Sequence, residues 1–384
     1  MSRASGGQAA LNNGTPRQVH LTWGDDPATS VVVSWASAGR ALRPRVRIGQ
    51  RVIYAQERTH VNEATGKTEW YYHARVPELK PGAAYAYAVT TDNDANAADP
   101  FASTFRTAPA RRAGFRFTCS GDLPLPGYQG GAHLAGVVES FQPLFHLLNG
   151  GLCGTGPAAP REFADGSQFS AASRPWMPVP GQDDPASLQA YLARYDVPCD
   201  GAPESRGRWY SFRVGSVLFA CLDRPEATGG DARNAPDAQA RWLERTLAPA
   251  RADPSVDWII VLAHHADSWA ASGGPRADLL LAGHGSGYER SVPRRATRPG
   301  GGVLDTSQGT VELTLGQDPA SGFGIAVFDV APGTEASDES SITVSYYREA
   351  DPGQAERFTL VRPRAARRHP GTRGSHRATP HPIG

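Results

Sequence analysis

Residues 257–265 read DWIIVLAHH, an apolar run that ends on two histidines. Such a run is typical of a strand that is buried on both faces of a parallel sheet. A strongly amphipathic segment at 237–252 precedes it, and a second apolar segment, ADLLLAGH at 277–284, follows it and also ends on a histidine. Alternating strands and helices predict an α/β domain, in which the loops after the strands can carry a functional site.

The same mixed pattern extends back to residue 113. It predicts helices at 132–145 and 187–195, and a hairpin at 208–222 that turns at Gly215. Further strands are predicted at 114–119, 146–151 and 176–184, the last two including the turns or loops that follow them, and antiparallel strands are predicted beyond residue 310.

The first third of the chain has a different, all-β pattern. Short segments rich in β-branched and aromatic residues are separated by Gly, Pro, Asn and Asp, which predicts strands. Tyr85 follows a Pro-Gly turn, as in the tyrosine corner of immunoglobulin-like sandwiches, although an aromatic residue in a strand can equally be plain core. The composition changes at 105–115, which indicates an inter-domain linker. The predicted strands are 30–36, 45–49, 69–76 and 84–90.

Composition excludes several classes of protein. The formal net charge of +1 gives no electrostatic basis for binding nucleic acid or an anionic membrane, and no segment has the length of a transmembrane helix. The four cysteines form no C-x-x-C motif, and both disulfides and separate thiols are compatible with their spacing. The first residues lack the apolar core of a signal peptide, so we expect a cytoplasmic protein, or a secreted one if a leader is missing.

Polar residues follow several of the predicted strands, and three of them are candidate metal ligands: Asp122, His264 and His284. Aspartate and histidine together can bind zinc, iron or manganese. Each residue also has an ordinary interpretation, because a single histidine after a strand is commonly structural and a single aspartate is commonly a turn or cap residue.

The order of motifs resembles the metallophosphoesterases, and in detail the bacterial purple acid phosphatase-like proteins. The resemblance covers roughly Thr15 to Arg364 and is carried by PRQVHLTWGDDPATSVVVSWA, PLFHLLNG, RPWMPVPG, RWYSFRVGSV, RWLERTLA and GYERS. It implies a fibronectin type III-like domain at 15–110 and an α/β/β/α metallophosphoesterase domain at 113–363. The N-terminus at 1–14 is predicted to be disordered, and so is the tail at 364–384, which is basic and has no acidic residue. The implied activity is phosphomonoester hydrolysis by two metal ions, iron with zinc or manganese.

The resemblance also implies which residues bind metal. Asp122, His264 and His284 match family ligands. Five other functional positions depart from the family pattern, because glycine replaces the bridging aspartate and the iron-binding tyrosine, Gln-Asp replaces Asn-His, and serine replaces the last histidine; they are Gly151, Gly154, Gln182, Asp183 and Ser286. A glycine cannot bridge two cations, so a stable dinuclear centre is not expected.

These departures favour a catalytically impaired family member with one weakly bound ion or none. Its partner, if it is active, is a small phosphate ester. The alternatives are a phosphohydrolase with a mononuclear site that uses His264, His284 and Asp183, a binding protein that uses the sandwich domain, and a product without a selected role. His265 is expected to point away from His264 and is left out of the site. The segment between His265 and the next strand lacks the helix expected for the family and is short for a helical crossover, which is expected to disturb the pocket.

Overall fold

The structure is a computed structural model. It describes residues 14–62, 65–94, 99–123, 127–150, 159–181, 185–200, 205–223, 235–271, 273–291, 303–317, 322–333, 339–348 and 353–363. The predicted disordered N-terminus, apart from Gly14, and the predicted basic tail at 364–384 lie outside the described residues. So do Gly151, Gly154, Gln182 and Asp183.

The first eight strands form two antiparallel four-stranded sheets, with the orders β1-β2-β6-β5 and β4-β3-β7-β8. One apolar core joins them, in which the rings of Trp35 and Tyr72 stack 5.7 Å apart. In the strand at 84–90, Tyr87 and Val89 are buried, as the alternating pattern predicts. The strands are β1 Arg17–Trp23, β2 Val31–Ser37, β3 Arg45–Ile48, β4 Arg51–Tyr54, β5 Gln56–Asn62, β6 Lys67–Val76, β7 Ala84–Thr90 and β8 Phe101–Arg106.

The rest of the described chain builds two larger sheets, with the orders β11-β10-β9-β19-β20-β21-β17 and β12-β13-β14-β15-β18-β16. The elements are β9 Phe115–Ser120, α1 Gly127–Phe141, β10 Phe145–Asn149, α2 Ala159–Ala171, β11 Trp176–Val179, α3 Pro185–Arg194, β12 Tyr210–Val214, β13 Val217–Leu222, α4 Ala235–Ala252, β14 Trp258–Ala263, α5 Ala266–Ala271, β15 Leu279–Ala282, β16 Tyr288–Arg290, β17 Val303–Asp305, a 3₁₀ turn Thr306–Gln308, β18 Val311–Leu315, β19 Gly324–Ala331, β20 Glu339–Arg348 and β21 Gln354–Pro363.

These two sheets pack face to face. The ring of Phe117 in β9 meets the ring of Phe219 in β13 edge-on at 5.2 Å. Along β14 the side chains alternate, because Ile260 and Leu262 join the core between the sheets while Ile259 and Val261 face the core that contains α4. This alternation explains why the segment is apolar throughout, since both faces of the strand are buried.

Two local expectations from the sequence are wrong. The helix predicted at 132–145 ends at Phe141, because Gln142 takes a left-handed conformation with φ of 49° and Pro143 cannot continue a helix. The connection after β14 is long enough for a crossover, since β14 and β15 are parallel neighbours joined through the short helix α5. The helix α2 was not predicted, because glycine, proline and polar residues interrupt its apolar pattern.

The predicted linker at 105–115 is a tightly held segment. Its ends belong to β8 and β9, and the guanidinium of Arg112 pairs with the buried carboxylate of Asp257 at 2.7 Å. The two halves also meet at Asp196, which is 3 % exposed and pairs with Arg58 and with Arg75, the latter at 2.7 Å. Within the described residues, Cys119, Cys199 and Cys221 are free thiols, and no helix there is long and apolar enough to cross a membrane.

Candidate metal centre

The predicted ligands come together where the strands of both C-terminal sheets end. Asp122 follows β9 of one sheet, and His264 and His284 follow β14 and β15 of the other. Backbone hydrogen bonds join the three loops: the N–H of Asp122 donates to Gly283 O at 3.1 Å, and the N–H of His284 donates to His264 O at 2.8 Å. The strand order and these hydrogen bonds between the loops therefore set the position of the group.

His264 is the buried member of the group and is 4 % exposed. Its Nδ1 lies 3.1 Å from the carbonyl oxygen of Asn149. Because a carbonyl can only accept, Nδ1 carries the proton and the lone pair of the neutral ring lies on Nε2. That Nε2 is 3.6 Å from Asp122 Oδ1. Two ligand atoms on one tetrahedral zinc stand about 3.3–3.6 Å apart, so this pair has the separation that a shared ion requires.

Three glycines leave the room that the His264 ring occupies. A β-carbon on Gly150, which has a φ of +84°, would stand 1.8 Å from His264 Nδ1. A β-carbon on Gly181 would stand 2.9 Å from His264 Cδ2, and one on Gly283 would stand 1.8 Å from Asn149 O. Any side chain at Gly150 or Gly283 would therefore displace the imidazole or the carbonyl that orients it.

His284 opens the group to solvent. Its side chain is 55 % exposed, whereas that of Asp122 is 20 % exposed. The Nδ1 of His284 lies 2.9 Å from Asp122 Oδ2, a hydrogen bond that links the two candidate ligands. A carboxylate that bonds to an imidazole in this way fixes the ring and raises its basicity as a ligand. Ser286, two residues further on, is exposed in the loop after β15.

His265 belongs to the group, and the expectation that it points away is wrong. Its ring centroid is 4.6 Å from that of His264 and 4.4 Å from that of His284. One nitrogen from each of these three histidines lies within 4.8 Å of the others. Strict alternation fails because β14 ends at Ala263, and His265 already belongs to the turn before α5. A second histidine just past a strand end was the signal in the sequence.

The donors fit one ion. In the described part of the chain, one nitrogen from each of these three histidines lies close enough to share an ion, and Asp122 adjoins the group through its contacts with His264 and His284. Nitrogen and carboxylate donors with a solvent-exposed side suit zinc and related divalent ions. Metal binding by Asp122, His264 and His284 stays a prediction.

Another buried histidine shows how a structural imidazole differs. His146 in β10 is fully buried, and its two ring nitrogens bond to Thr118 Oγ1 at 2.9 Å and to Ser120 Oγ at 3.2 Å. Burial lowers its pKa to about 3. Two hydroxyl partners satisfy the ring completely. By contrast, the strand-end group, which consists of Asp122, His264, His265 and His284, places imidazoles beside one another and beside a carboxylate.

Comparison with known proteins places the chain in a family. Residues 16–107 match the family described as purple acid phosphatase, N-terminal domain. Two curated relatives from Mycobacterium tuberculosis, one from strain CDC 1551 / Oshkosh and one from strain ATCC 25618 / H37Rv, are each 31% identical to the chain. The alignments cover 78% of this chain and 68% of each relative, and both relatives carry the name uncharacterized protein.

A solved structure entitled "Structure of PhoD" shares the fold. The TM-score is 0.53, the sequence identity is 12%, and the match covers 91% of this chain and 93% of that one. At this identity the likeness concerns the fold alone. The matched N-terminal domain and the relatives that span most of the chain lead to one assignment: the chain belongs to the purple acid phosphatase-like proteins.

Proposed function

We propose that this protein is a catalytically impaired purple acid phosphatase-like phosphoesterase that has one metal position, bound by Asp122, His264 and His284. The observation that carries the proposal is the convergence of these side chains, with His264 Nε2 3.6 Å from Asp122 Oδ1 and His284 Nδ1 2.9 Å from Asp122 Oδ2. The site opens toward solvent at His284, which gives a small phosphate ester access.

The residues have separate roles in this proposal. The carbonyl of Asn149 holds the His264 ring by its Nδ1, so that Nε2 faces Asp122. Asp122 orients His284 and supplies the negative charge that a cation requires. A bound divalent ion would supply Lewis acidity toward a phosphoryl oxygen. The chain's own residues bind and orient, and we assign no catalytic acid or base.

The catalytic impairment follows from the loss of the second metal ion. Two divalent ions about 3.5–4 Å apart repel strongly unless a carboxylate bridges them. The sequence has Gly151 where the family has that carboxylate, Gly154 where it has a tyrosine, and Ser286 where it has a histidine. A single ion cannot contact both the attacking and the leaving oxygen as a pair of ions does, so turnover is expected to be far below that of a two-metal enzyme.

The finer architecture is part of the proposal. We assign 15–110 to a fibronectin type III-like domain and 113–363 to a metallophosphoesterase domain. The Tyr85 hydroxyl supports the fibronectin type III-like assignment, because it accepts a hydrogen bond from the Lys80 N–H at 2.7 Å, as a tyrosine corner does.

We predict that Tyr85→Phe lowers the free energy of unfolding by about 1 kcal/mol in denaturant titration, whereas Tyr54→Phe, at a 61% exposed tyrosine, changes it little. Equal effects of the two variants would count against the corner.

The experiment that tests the function counts ions and turnover together. The purified full chain is loaded separately with iron, zinc or manganese, freed of excess metal, and measured by elemental analysis and by hydrolysis of a generic aryl phosphate. A double variant, His264→Ala with His284→Ala, is compared with His60→Ala, a histidine on β5 far along the chain from the site.

We expect one equivalent of metal in the native chain and in His60→Ala, almost none in the double variant, and hydrolysis close to the buffer rate in all three. Two equivalents together with strong metal-dependent turnover that His264→Ala abolishes would overturn the impairment. No bound metal in the native chain would overturn the metal position itself.

A further inference from the structure

We infer that His265 is a ligand of the same ion, so that three imidazoles bind it, and that this set favours Zn²⁺ over Mn²⁺. The inference rests on the proposed function, since it requires the ion bound near Asp122, His264 and His284. It adds a residue that the family pattern does not supply and a preference among metals.

The ring geometry carries the inference. The centroids of the rings are 4.6 Å apart for His264 and His265, 4.4 Å for His265 and His284, and 5.3 Å for His264 and His284. A histidine nitrogen binds zinc at about 2.0–2.1 Å and the ring centre lies about 1 Å behind it, so three imidazoles on one tetrahedral ion have centroids about 5 Å apart. The observed separations bracket that value, and the three candidate ligand atoms lie within 4.8 Å of one another.

The backbone explains how two successive histidines reach one point. The carbonyl of His264 accepts hydrogen bonds from the N–H groups of Gly283 and His284, at 3.0 Å and 2.8 Å, which holds the end of β14 against the end of β15. The carbonyl of His265 accepts from the N–H of Ser268 at 3.0 Å, so the chain is already turning into α5 at this residue. The turn brings the second ring beside the first instead of onto the opposite face of the strand.

Donor chemistry gives the preference among metals. Imidazole nitrogen suits zinc, copper and nickel, whereas Mn²⁺ favours carboxylate, carbonyl and water oxygens. In the group formed by His264, His265, His284 and Asp122, three donors are imidazoles and one is a carboxylate. His265 therefore adds a nitrogen donor that favours zinc.

Cobalt spectroscopy tests this without relying on activity. The full chain is stripped with a chelator and titrated with Co²⁺, whose visible absorption is intense in a four-coordinate site with nitrogen donors and weak in a six-coordinate site. Zn²⁺ and Mn²⁺ are then used as competitors to obtain their affinities. The variants are His265→Ala, His265→Gln and the control His60→Ala, and far-ultraviolet circular dichroism of the stripped proteins shows that each is folded.

We expect an intense cobalt spectrum at one equivalent in the native chain and in His60→Ala. In both His265 variants we expect a weak spectrum and a Zn²⁺ affinity at least about tenfold lower, with a much smaller change for Mn²⁺. Native-like spectra and affinities in folded His265 variants would overturn the inference and leave the metal position of Asp122, His264 and His284 intact. A native chain that binds neither Co²⁺ nor Zn²⁺ would overturn both.

Discussion

Two buried histidines of this protein, His73 and His264, have almost the same exposure and different surroundings. His73 lies in β6 and is 2 % exposed, and His264 follows β14 and is 4 % exposed. In His73 the Nδ1 bonds to Ser34 Oγ at 2.8 Å and the Nε2 bonds to Ala193 O at 3.0 Å. In His264 the Nδ1 bonds to a carbonyl, and the Nε2 faces a carboxylate at 3.6 Å beside two further imidazoles.

Burial alone therefore does not separate a structural histidine from a candidate ligand. His73 joins the two halves of the chain, next to the ion pairs of Asp196 with Arg58 and Arg75. Its partners form a closed set of one hydroxyl and one carbonyl. The strand-end group includes the 55 % exposed His284 and can accept an ion from solvent. We call His73, Asp196 and their hydrogen-bond and ion-pair partners the first group, and changes there should alter stability. Changes at the strand-end group should alter metal binding.

The largest expected effect breaks the first group at Asp196. Burial by itself would raise the pKa of this carboxyl, but Arg58 and Arg75 outweigh it and hold the pKa below its usual value. We predict that Asp196→Ala lowers the free energy of unfolding by about 3 kcal/mol in denaturant titration, because three arginines, Arg58, Arg75 and Arg206, lose their buried partner. The metal content of the folded variant should not change.

The control is Asp25→Ala. Asp25 also pairs with Arg75, at 3.4 Å, but it is 73% exposed, so its removal should cost less than about 0.5 kcal/mol. A loss of metal from folded Asp196→Ala would contradict the separation of the two groups.

The second prediction breaks the strand-end group without removing a ligand. Gly150→Ala places a β-carbon 1.8 Å from His264 Nδ1, so the ring must move and its bond to Asn149 is lost. We expect bound metal to fall below half an equivalent and the free energy of unfolding to fall by about 2 kcal/mol beyond the backbone cost. Elemental analysis and denaturant titration measure the two quantities.

Gly49→Ala supplies the matched control. Gly49 has a φ of +58°, and a β-carbon there meets nothing within 4 Å. Gly49→Ala therefore has about the same cost of placing alanine in a left-handed backbone conformation as Gly150→Ala, about 1 kcal/mol, but it lacks the clash with a neighbouring side chain. If both variants kept their metal equally, the His264 pocket would not need its glycine.

The two groups were not equally visible in the sequence. Asp122, His264 and His284 each follow an apolar strand, so strand ends together with the family motifs identified them. The sequence pattern does not reveal His265, because the alternation of side chains holds only within the strand, and His265 lies two residues beyond its end at Ala263. His73 gave no signal, since its partners Ser34 and Ala193 come from distant parts of the chain that only the tertiary fold brings together. The strands of the first third and the mixed helices and strands after residue 113 were predictable because each region has its own period of apolar residues, whereas α2 lacks a clear one.

The stability of the region around His73 should depend on pH. Burial, with a smaller contribution from Arg58, lowers the pKa of His73 from 6.5 to about 3. The unfolded chain therefore binds a proton between these two values that the folded chain does not, and the contribution to stability is present above pH 6.5 and lost as the pH falls toward 3. In His73→Gln, we expect the slope of unfolding free energy against pH to decrease by up to about 1.4 kcal/mol per unit in that window.

Denaturant titrations at several values between pH 4 and pH 7 measure that slope, with His60→Ala on β5 as the control variant. His20 lies in the same region, and burial lowers its pKa to about 4, so part of the slope should persist in His73→Gln. An unchanged slope in His73→Gln would show that His73 becomes protonated in the folded protein.

The smallest expected effect concerns the hydroxyl of Ser34, which bonds to Nδ1 of His73. Because Ala193 O can only accept, the Nε2 of His73 carries the proton and its Nδ1 accepts from the Ser34 hydroxyl. Ser34→Ala leaves that buried nitrogen without its donor and should lower the free energy of unfolding by about 1 kcal/mol in denaturant titration. Ser140→Ala removes an exposed hydroxyl that bonds to Val137 O on α1, where water can take its place, and should cost less than about 0.5 kcal/mol. If Ser34→Ala cost no more than Ser140→Ala, the closed set around His73 would not require its serine. The contrast with His264 would then depend on its carboxylate and imidazole neighbours alone.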